Sequence, residues 1–425
     1  MRKREITLIG AISIGIGGMV GGGIFAVLGV AVSLAHGATP IAFLIAGIIA
    51  LITAYSYAKL SLKYQSEGGT IVFIEQAFGK NLFSGAVNLM LWLSYLVTIS
   101  LYATAFSYYA LNFFHTKTPF LYHTLISIAI ILPGLINLIS ASFVSKSESI
   151  LVIIKIALLI LIIITSIPYI SADRLNFDIT NPLPIITAGM IIFVAYEGFE
   201  LIANSAQELQ NPDKNLPIAF YSAVIFVIIL YVLIAIVTVG CVDEQTLLKA
   251  KDYALAQAAK PSLGEIGFII VSIAALLATF SAINATIYGN ARLGYILASH
   301  KELPTILKEE KRNIPFMGDI ITLILSLILA NSINLEEISI IGSASFLLIF
   351  LIVNLSAFKL SKEINSNKII TLSASLFTFI SLIILLYHTY STNPKAIFIF
   401  FGFILISIFF EYFYSKPIKK YIFHK

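Results

Sequence analysis

The 425-residue sequence predicts an all-α polytopic membrane protein of about twelve transmembrane helices, and three observations predict it. Hydrophobic residues make up 59% of the chain and charged residues only 12%, with a mean hydropathy of +0.96; soluble domains carry about 25% charged residues. The apolar residues gather into runs of about 20, the length that crosses a hydrocarbon core. The basic residues are unevenly shared between the connecting segments. Lys117, Arg174, Lys249, Lys251, Lys260 and Lys395 fall outside, Lys155 falls within a span, and the other twenty of the 27 fall on cytoplasmic ends. That bias places both termini in the cytoplasm of a multi-pass protein of the cell membrane. It also accounts for the net charge of +5 without a nucleic-acid partner.

Taken in order, the expected spans are 7–34, 40–62, 82–114, 122–142, 150–170 and 183–203, then 218–239, 266–298, 317–332, 338–358, 369–387 and 396–413. The basic start, Met1-Arg2-Lys3-Arg4, looks like the opening of a signal peptide, but the apolar stretch behind it outruns one, so it is read as a retained first span. Residues 244–259 read as a short surface helix on the outside with Asp243 as its N-cap. Residues 64–79 read as a helix or hairpin on the inside. Cys241 is the only cysteine, so no intrachain disulfide forms.

Two spans cannot be plain helices. The first holds Gly15, Gly17, Gly18, Gly21, Gly22, Gly23 and Gly29. Close packing through small residues explains some of that spacing. A consecutive triplet at mid-depth, each glycine costing about 1 kcal/mol in a helix, favours an unwound stretch instead. The sixth span holds Phe193-Val194-Ala195-Tyr196-Glu197-Gly198-Phe199-Glu200. Two carboxyl groups at that depth are costly on an intact helix facing lipid, whereas a break at Gly198 turns them into a polar interior. Glu200 reads equally as a gating residue and as a structural carboxylate that accepts hydrogen bonds from freed amides.

Irregular backbone at membrane depth is tolerated where it lines a cavity or is buried in protein, so the two breaks imply a site between them. Spans one and six are what two repeats of five spans would pair. Freed amides at an outer half-helix starting near Gly23 suit a carboxylate. Freed carbonyls near Met19 and Val20, and near Phe193, Val194 and Glu197, suit an ammonium. A ligand with both groups close together is an α-amino acid. In the fifth span Lys155 lies about 10 Å beyond the cytoplasmic Lys146 and Glu148, by seven residues of helical rise. It either snorkels to the surface or is buried against the breaks, where it can load and release a proton.

These residues resemble the amino acid, polyamine and organocation transporter superfamily, and more closely its proton-coupled members. Three stretches carry the match: Gly21 to Phe25; Phe193 to Glu200; and Ala206-Gln207-Glu208-Leu209-Gln210-Asn211-Pro212-Asp213-Lys214-Asn215-Leu216-Pro217-Ile218. The resemblance implies two inverted five-helix repeats (7–170 and 183–358) with discontinuous helices 1 and 6, followed by two accessory helices (369–413). It implies a substrate carboxylate on the amides of Gly21, Gly22 and Gly23 and a substrate amine on carbonyls near Met19, Val194 and Glu197. Ile24, Phe193, Tyr196 and Phe199 are counted in the same substrate site. Lys155 matches the fifth-span lysine of proton-coupled members, and Ser281 matches an eighth-span hydroxyl. Gly22, where some relatives carry serine, leaves room for a bulkier substrate. Glu197, where an apolar residue is common, either selects a cationic or polar amino acid or adds a second proton site.

No His-Glu-x-x-His or Gly-x-Ser-x-Gly motif is present, and the six histidines are scattered, so no enzyme and no cofactor is expected. A channel would show a ring of like side chains or a repeated filter. The expected function is secondary active transport of an amino acid by alternating access, coupled to protons through Lys155. The rival is ion-independent exchange of amino acids or amines. Tyr95, Asn284 and Phe346 are further candidates for the pocket wall.

Overall fold

In a hydrocarbon layer the backbone amides have no water to bond, so apolar runs of this length close their hydrogen bonds within helices. A computed structural model describes residues 4–139, 141–175, 181–311 and 314–415, and helices carry most of them. In chain order they are α1 (Leu8–Met19), α2 (Gly23–Ala35), α3 (Thr39–Lys63), α4 (Thr70–Phe78), α5 (Leu82–Leu111), α6 (Pro119–Ile139), α7 (Ala141–Ser166), α8 (Leu183–Ile191) and α9 (Leu201–Asn204). They continue with α10 (Pro212–Cys241), α11 (Glu244–Lys249), α12 (Ala254–Ala258), α13 (Lys260–Ser299), α14 (Phe316–Ser332), α15 (Leu335–Lys359), α16 (Lys368–Thr392) and α17 (Pro394–Phe410). Among the described residues the sheet content is one hairpin pairing Glu310–Lys311 with Ile314–Pro315.

Ten stretches are long and apolar enough to cross a membrane, and α1 and α14 are shorter apolar helices. One of the ten, Gly23–Lys63, is two helices turned at His36–Ala38. The seventh expected span starts late, since α10 begins at Pro212; α7 begins at Ala141, but the membrane-crossing stretch there, Ile150–Tyr169, is the fifth span as expected. Those boundaries marked where the sequence turns apolar, and the helices run on through polar residues. The basic residues Arg2, Lys3, Arg312, Lys416, Lys419, Lys420 and Lys425 lie outside the described residues.

The helices divide into centre and rim. The most apolar windows of α5 and α15 are 83% buried, against 33% for those in α6, α7 and α17. Rim helices turn side chains such as Leu135, Ile153, Ile164 and Phe398 outward, where a bilayer rather than water is their solvent. Polar clasps join centre to rim at depth. Asn354 donates to Thr53 on α3 and Thr378 on α16, both at 3.1 Å, and Asn137 on α6 donates to the Asn284 carbonyl and side-chain oxygen at 3.0 and 2.8 Å.

Both structured connections follow the sequence reading. Residues 244–259 form α11 and α12 around a short 3-10 turn, and Asp243 caps α11 by accepting from the Thr246 amide at 2.9 Å. Residues 64–79 contain α4, whose buried Glu75 faces the end of α13. His300 Nδ1 lies 3.1 Å from one carboxylate oxygen and Lys80 Nζ 3.4 Å from the other. Burial pushes the Glu75 carboxyl up, but the hydrogen bond and charge of His300 and the charge of Lys80 outweigh it and leave it below its ordinary 4.5.

A carboxyl group lowered on folding stabilises the fold fully above its unfolded value and loses that contribution as pH falls through its folded value. Glu75→Gln should therefore lower the melting temperature at neutral pH, with the difference from the wild type shrinking as pH falls below 4.5. Thermal melts across that range check it. A difference that survives at acid pH would mean packing, not charge, holds α4 in place.

Candidate functional site

The first crossing is interrupted where the glycines fall. α1 ends at Met19, Val20, Gly21 and Gly22 are non-helical, and α2 restarts at Gly23. In the sixth, α8 passes into a 3-10 turn over Ile192–Tyr196, Glu197 is extended (φ −63°, ψ 144°), and Gly198 takes φ +119° before α9 begins. That φ is open to glycine and strained for an L side chain.

The two breaks touch backbone to backbone. A Cβ on Gly18 would lie 2.8 Å from the Gly198 carbonyl oxygen, and one on Gly198 would lie 2.6 Å from the Met19 nitrogen. The triplet is equally close-set. A Cβ on Gly21 would meet Ala282 at 2.8 Å, one on Gly23 would meet the Ala195 Cα at 2.8 Å, and one on Gly22 would collide with the Tyr102 ring. The room expected beside Gly22 for a bulkier substrate is therefore filled by Tyr102. Sequence could not show that an aromatic ring from α5 would reach the break.

Several of the freed polar groups have protein partners. The Tyr231 hydroxyl lies 2.6 Å from the Met19 carbonyl oxygen and 3.2 Å from that of Ala195, bridging the two breaks. The Val194 amide donates to Ser343 at 2.9 Å, and Ser343 donates to the Ile191 carbonyl at 2.6 Å. The Val194 carbonyl accepts the Glu197 amide at 3.2 Å. Lys155 is buried rather than snorkelled to a surface, and its Nζ donates to the Gly17 carbonyl at 3.3 Å. This sets an amine at the negative end of the α1 dipole. Ser281 is buried on α13, a helix packed on α7.

Tyr231→Phe removes the O–H shared between the breaks and leaves a buried carbonyl underserved, at a cost of about 1 to 3 kcal/mol. A fluorescence thermal-shift assay should show a drop of several degrees for this variant. No drop would mean the bridge is dispensable.

A cavity of ≈ 460 Å³ runs to the junction of the breaks. Its inner end is lined by Gly17, Gly18, Tyr95, Tyr102 and Glu197, and its mouth by Glu67, Glu208 and Arg292. The mouth is on the face that carries the amino-terminal segment, since Ile6 exchanges backbone hydrogen bonds with Glu208 and Gln210 at 2.9 Å. The opposite face carries a smaller cavity of ≈ 200 Å³, lined by His36, Asp173, Arg174 and Glu244 among others. There the segment between α11 and α12 presses the Lys251 carbonyl onto Gly29, Lys251 pairs with Glu336 at 2.6 Å, and Glu244 lies 2.8 Å from His36.

Glu197 is 4% exposed and lines the cavity, with the Tyr102 hydroxyl 3.5 Å from one of its oxygens. Glu200 sits behind it, accepting from the Gly198 amide at 2.8 Å and from the Tyr95 hydroxyl at 3.2 Å. That geometry matches the structural reading of Glu200, a carboxylate that serves an amide freed by the break.

Of the substrate-site residues expected from sequence, Glu197 lines this cavity. Met19, Gly21, Gly22, Gly23 and Ile24 are buried beyond Gly18 and Tyr102. Phe199 packs edge-on against Tyr57 and tilted on Phe350, Phe193 packs on Phe350, and Tyr196 donates to the Phe43 carbonyl at 2.8 Å. Tyr95 lines the cavity and rests on Phe346, whereas Asn284 is taken up by its clasp to Asn137. Sequence reading passed over Tyr102 and Tyr231. Tyr95 and Tyr102 are seven apart on one face of α5, a signal that was available; Tyr231, a lone hydroxyl in an apolar run, gave none.

Broken crossings that meet at the end of a one-sided cavity define a class: α-helical membrane transporters with a site at the helix interruptions. The profile of the amino acid permease family matches residues 6–411, and the chain belongs to that family. It is 34% identical to protein MJ0609 of Methanocaldococcus jannaschii, over 99% of this chain and 97% of that one. It is also 34% identical to the inner membrane transport protein YbaT of Escherichia coli, over 96% and 95% of the two chains. The methylthioribose transporter of Bacillus subtilis is 25% identical over 82% and 79%.

Proposed function

We propose that this protein is a secondary active transporter that moves amino acids across the cell membrane by alternating access, driven by protons through Lys155. The observation that carries the reading is the junction of the two breaks at Gly18 and Gly198, at the inner end of a cavity, with the Lys155 amine on the adjacent Gly17 carbonyl. Loading Lys155 would place a positive charge against the negative end of α1, and unloading it would remove that tie between α7 and the inner half of the first crossing. Residues 7–170 and 183–358 form the two inverted repeats in this reading, and 369–413 the accessory pair. With the termini in the cytoplasm, the cavity faces inward. The amides of Gly21, Gly22 and Gly23 become available to a substrate carboxylate when Tyr102 swings away.

Purified protein in proteoliposomes tests this with labelled amino acids under an inward proton gradient, a sodium gradient, or neither. Proton-driven accumulation is expected for at least one amino acid, with no response to sodium. Uptake that ignores both gradients but is accelerated by amino acid inside the vesicle would establish the exchanger instead. Labelled methylthioribose belongs in the same panel, because a relative of this chain carries that name.

A further inference from the structure

We propose that Asp319, Asn290 and Thr322 form a binding site for a small alkali cation between α13 and α14, beside the wall of the cavity and apart from the breaks. The proposal goes beyond the transport reading and does not depend on it.

The site starts from a polar stripe in an otherwise apolar helix. Along α14 the side chains of Asp319, Thr322 and Ser326 recur at three and four residues, so they share one face, and all three are fully buried. That face meets α13, because Asn290 Nδ2 donates to the Thr322 hydroxyl at 3.2 Å. The seam is tight. A Cβ on Gly318 would lie 3.2 Å from the Ala291 carbonyl oxygen. Asp319 follows Gly318 directly and stands one turn before Thr322, so it lies on the stretch of the seam that Asn290 and Ala291 face.

Acceptors outnumber donors there. Both carboxyl oxygens of Asp319 and the side-chain oxygen of Asn290 are buried with no hydrogen-bond partner, and the Asn290 amide nitrogen is committed to Thr322. A buried carboxyl group without a donor is costly at membrane depth and calls for a positive partner. Among the described residues the one unpartnered buried side-chain nitrogen is Trp92 Nε1 on α5, set against Gly294 one turn further along α13. Since it too lacks a partner, it does not serve these oxygens. The Ser326 hydroxyl is about 10 Å further along α14 by helical rise. The cations of the neighbouring segments are engaged elsewhere. Arg292 donates to the Tyr288 hydroxyl at 3.1 Å, and Lys311 lies 4.0 Å from the centre of the Phe316 ring.

A proton on Asp319 would supply one donor and leave the second carboxyl oxygen unserved. A cation draws on all three oxygens at once, with the Thr322 hydroxyl as a further ligand. Hard oxygen ligands favour alkali and alkaline-earth ions over transition metals. The single carboxylate matches one positive charge, which selects the alkali ion. Asn290 also lines the cavity, so the site has an entry path from water. Its ligands lie on α13 and α14 rather than at the breaks. The ion is therefore a resident that ties these two helices, and uptake stays indifferent to a sodium gradient.

Thermal melts of the purified full-length protein in sodium, potassium or choline chloride at equal ionic strength test this. In at least one alkali salt the melting temperature should exceed that in choline by several degrees, and the gap should grow with concentration as ligand linkage requires. Asp319→Asn removes the charge, keeps the shape and should lose the difference between salts. Glu309→Gln, at an exposed acid on the same connection, should keep it. A wild type that melts alike in all three salts overturns the proposal. So does an Asp319→Asn variant that keeps the full response, since the ion then binds elsewhere. If Asp319→Asn does not fold, equilibrium dialysis against radioactive sodium and rubidium decides. Saturable uptake of a single ion per chain, weakened several-fold in Asn290→Ala, is expected; no saturable binding, or binding unchanged in Asn290→Ala, overturns the site.

Discussion

Replacing Gly198 by alanine should abolish uptake and lower the melting temperature by many degrees. Two costs coincide at this position. The backbone sits at φ +119°, where an L residue is strained by about 1 to 3 kcal/mol. The added methyl group would also be driven into the α1 backbone at Gly18 and Met19, where neither side has a flexible side chain that can yield. Overpacking of this kind costs about 1 to 3 kcal/mol more. Relief by separation of the two breaks would pull Glu200 from the Gly198 amide and Tyr231 from the Met19 and Ala195 carbonyls. Gly402→Ala on α17 is the control, since a Cβ there meets nothing within 4 Å. It should leave both uptake and melting close to the wild type. Equal melting temperatures for the two variants would mean the junction is looser than its contacts imply.

The junction also shows how far sequence reading reaches. The glycine triplet and the Glu-Gly pair located both breaks to within a residue or two, because glycine at mid-depth and carboxyl groups in an apolar run each carry a local cost that only irregular backbone relieves. The loop helix at Asp243 was legible from its cap residue, whereas for Lys155 the sequence left snorkelling and burial open and the structure shows burial. What sequence could not supply was which groups from other helices would occupy the freed positions. Tyr102 stands over Gly22, Tyr231 bridges the breaks and Ser343 takes the Val194 amide, and each comes from a segment whose own pattern is plainly apolar. The amides and carbonyls expected to wait for substrate are buried or engaged by the protein. Glu197 is the exception because it is a side chain rather than a backbone group, and it lines the cavity.

Lys155→Ala should uncouple uptake from the proton gradient while leaving exchange of amino acid across the same membrane largely intact. The amine lies 3.3 Å from the Gly17 carbonyl, on the first half of the first crossing, two residues short of where α1 ends. In the proposed cycle its charge holds that half-helix against α7, and neutralising it releases the hold. A carrier that must be reset by proton loss depends on that change for net uptake. Exchange does not, because it never returns empty. Uptake driven by an inward proton gradient is therefore expected to fall at least about tenfold in the alanine variant, a change equivalent to about 1.4 kcal/mol. Counterflow of labelled against unlabelled amino acid should fall far less. Lys155→Arg supplies the opposite test, because guanidinium keeps its proton at any relevant pH. It should lock the charged arrangement and lose the gradient response as well, with the fold preserved in thermal melts. If either variant accumulates amino acid in proportion to the proton gradient, Lys155 is a structural charge that ties α7 to α1, and the coupling lies elsewhere.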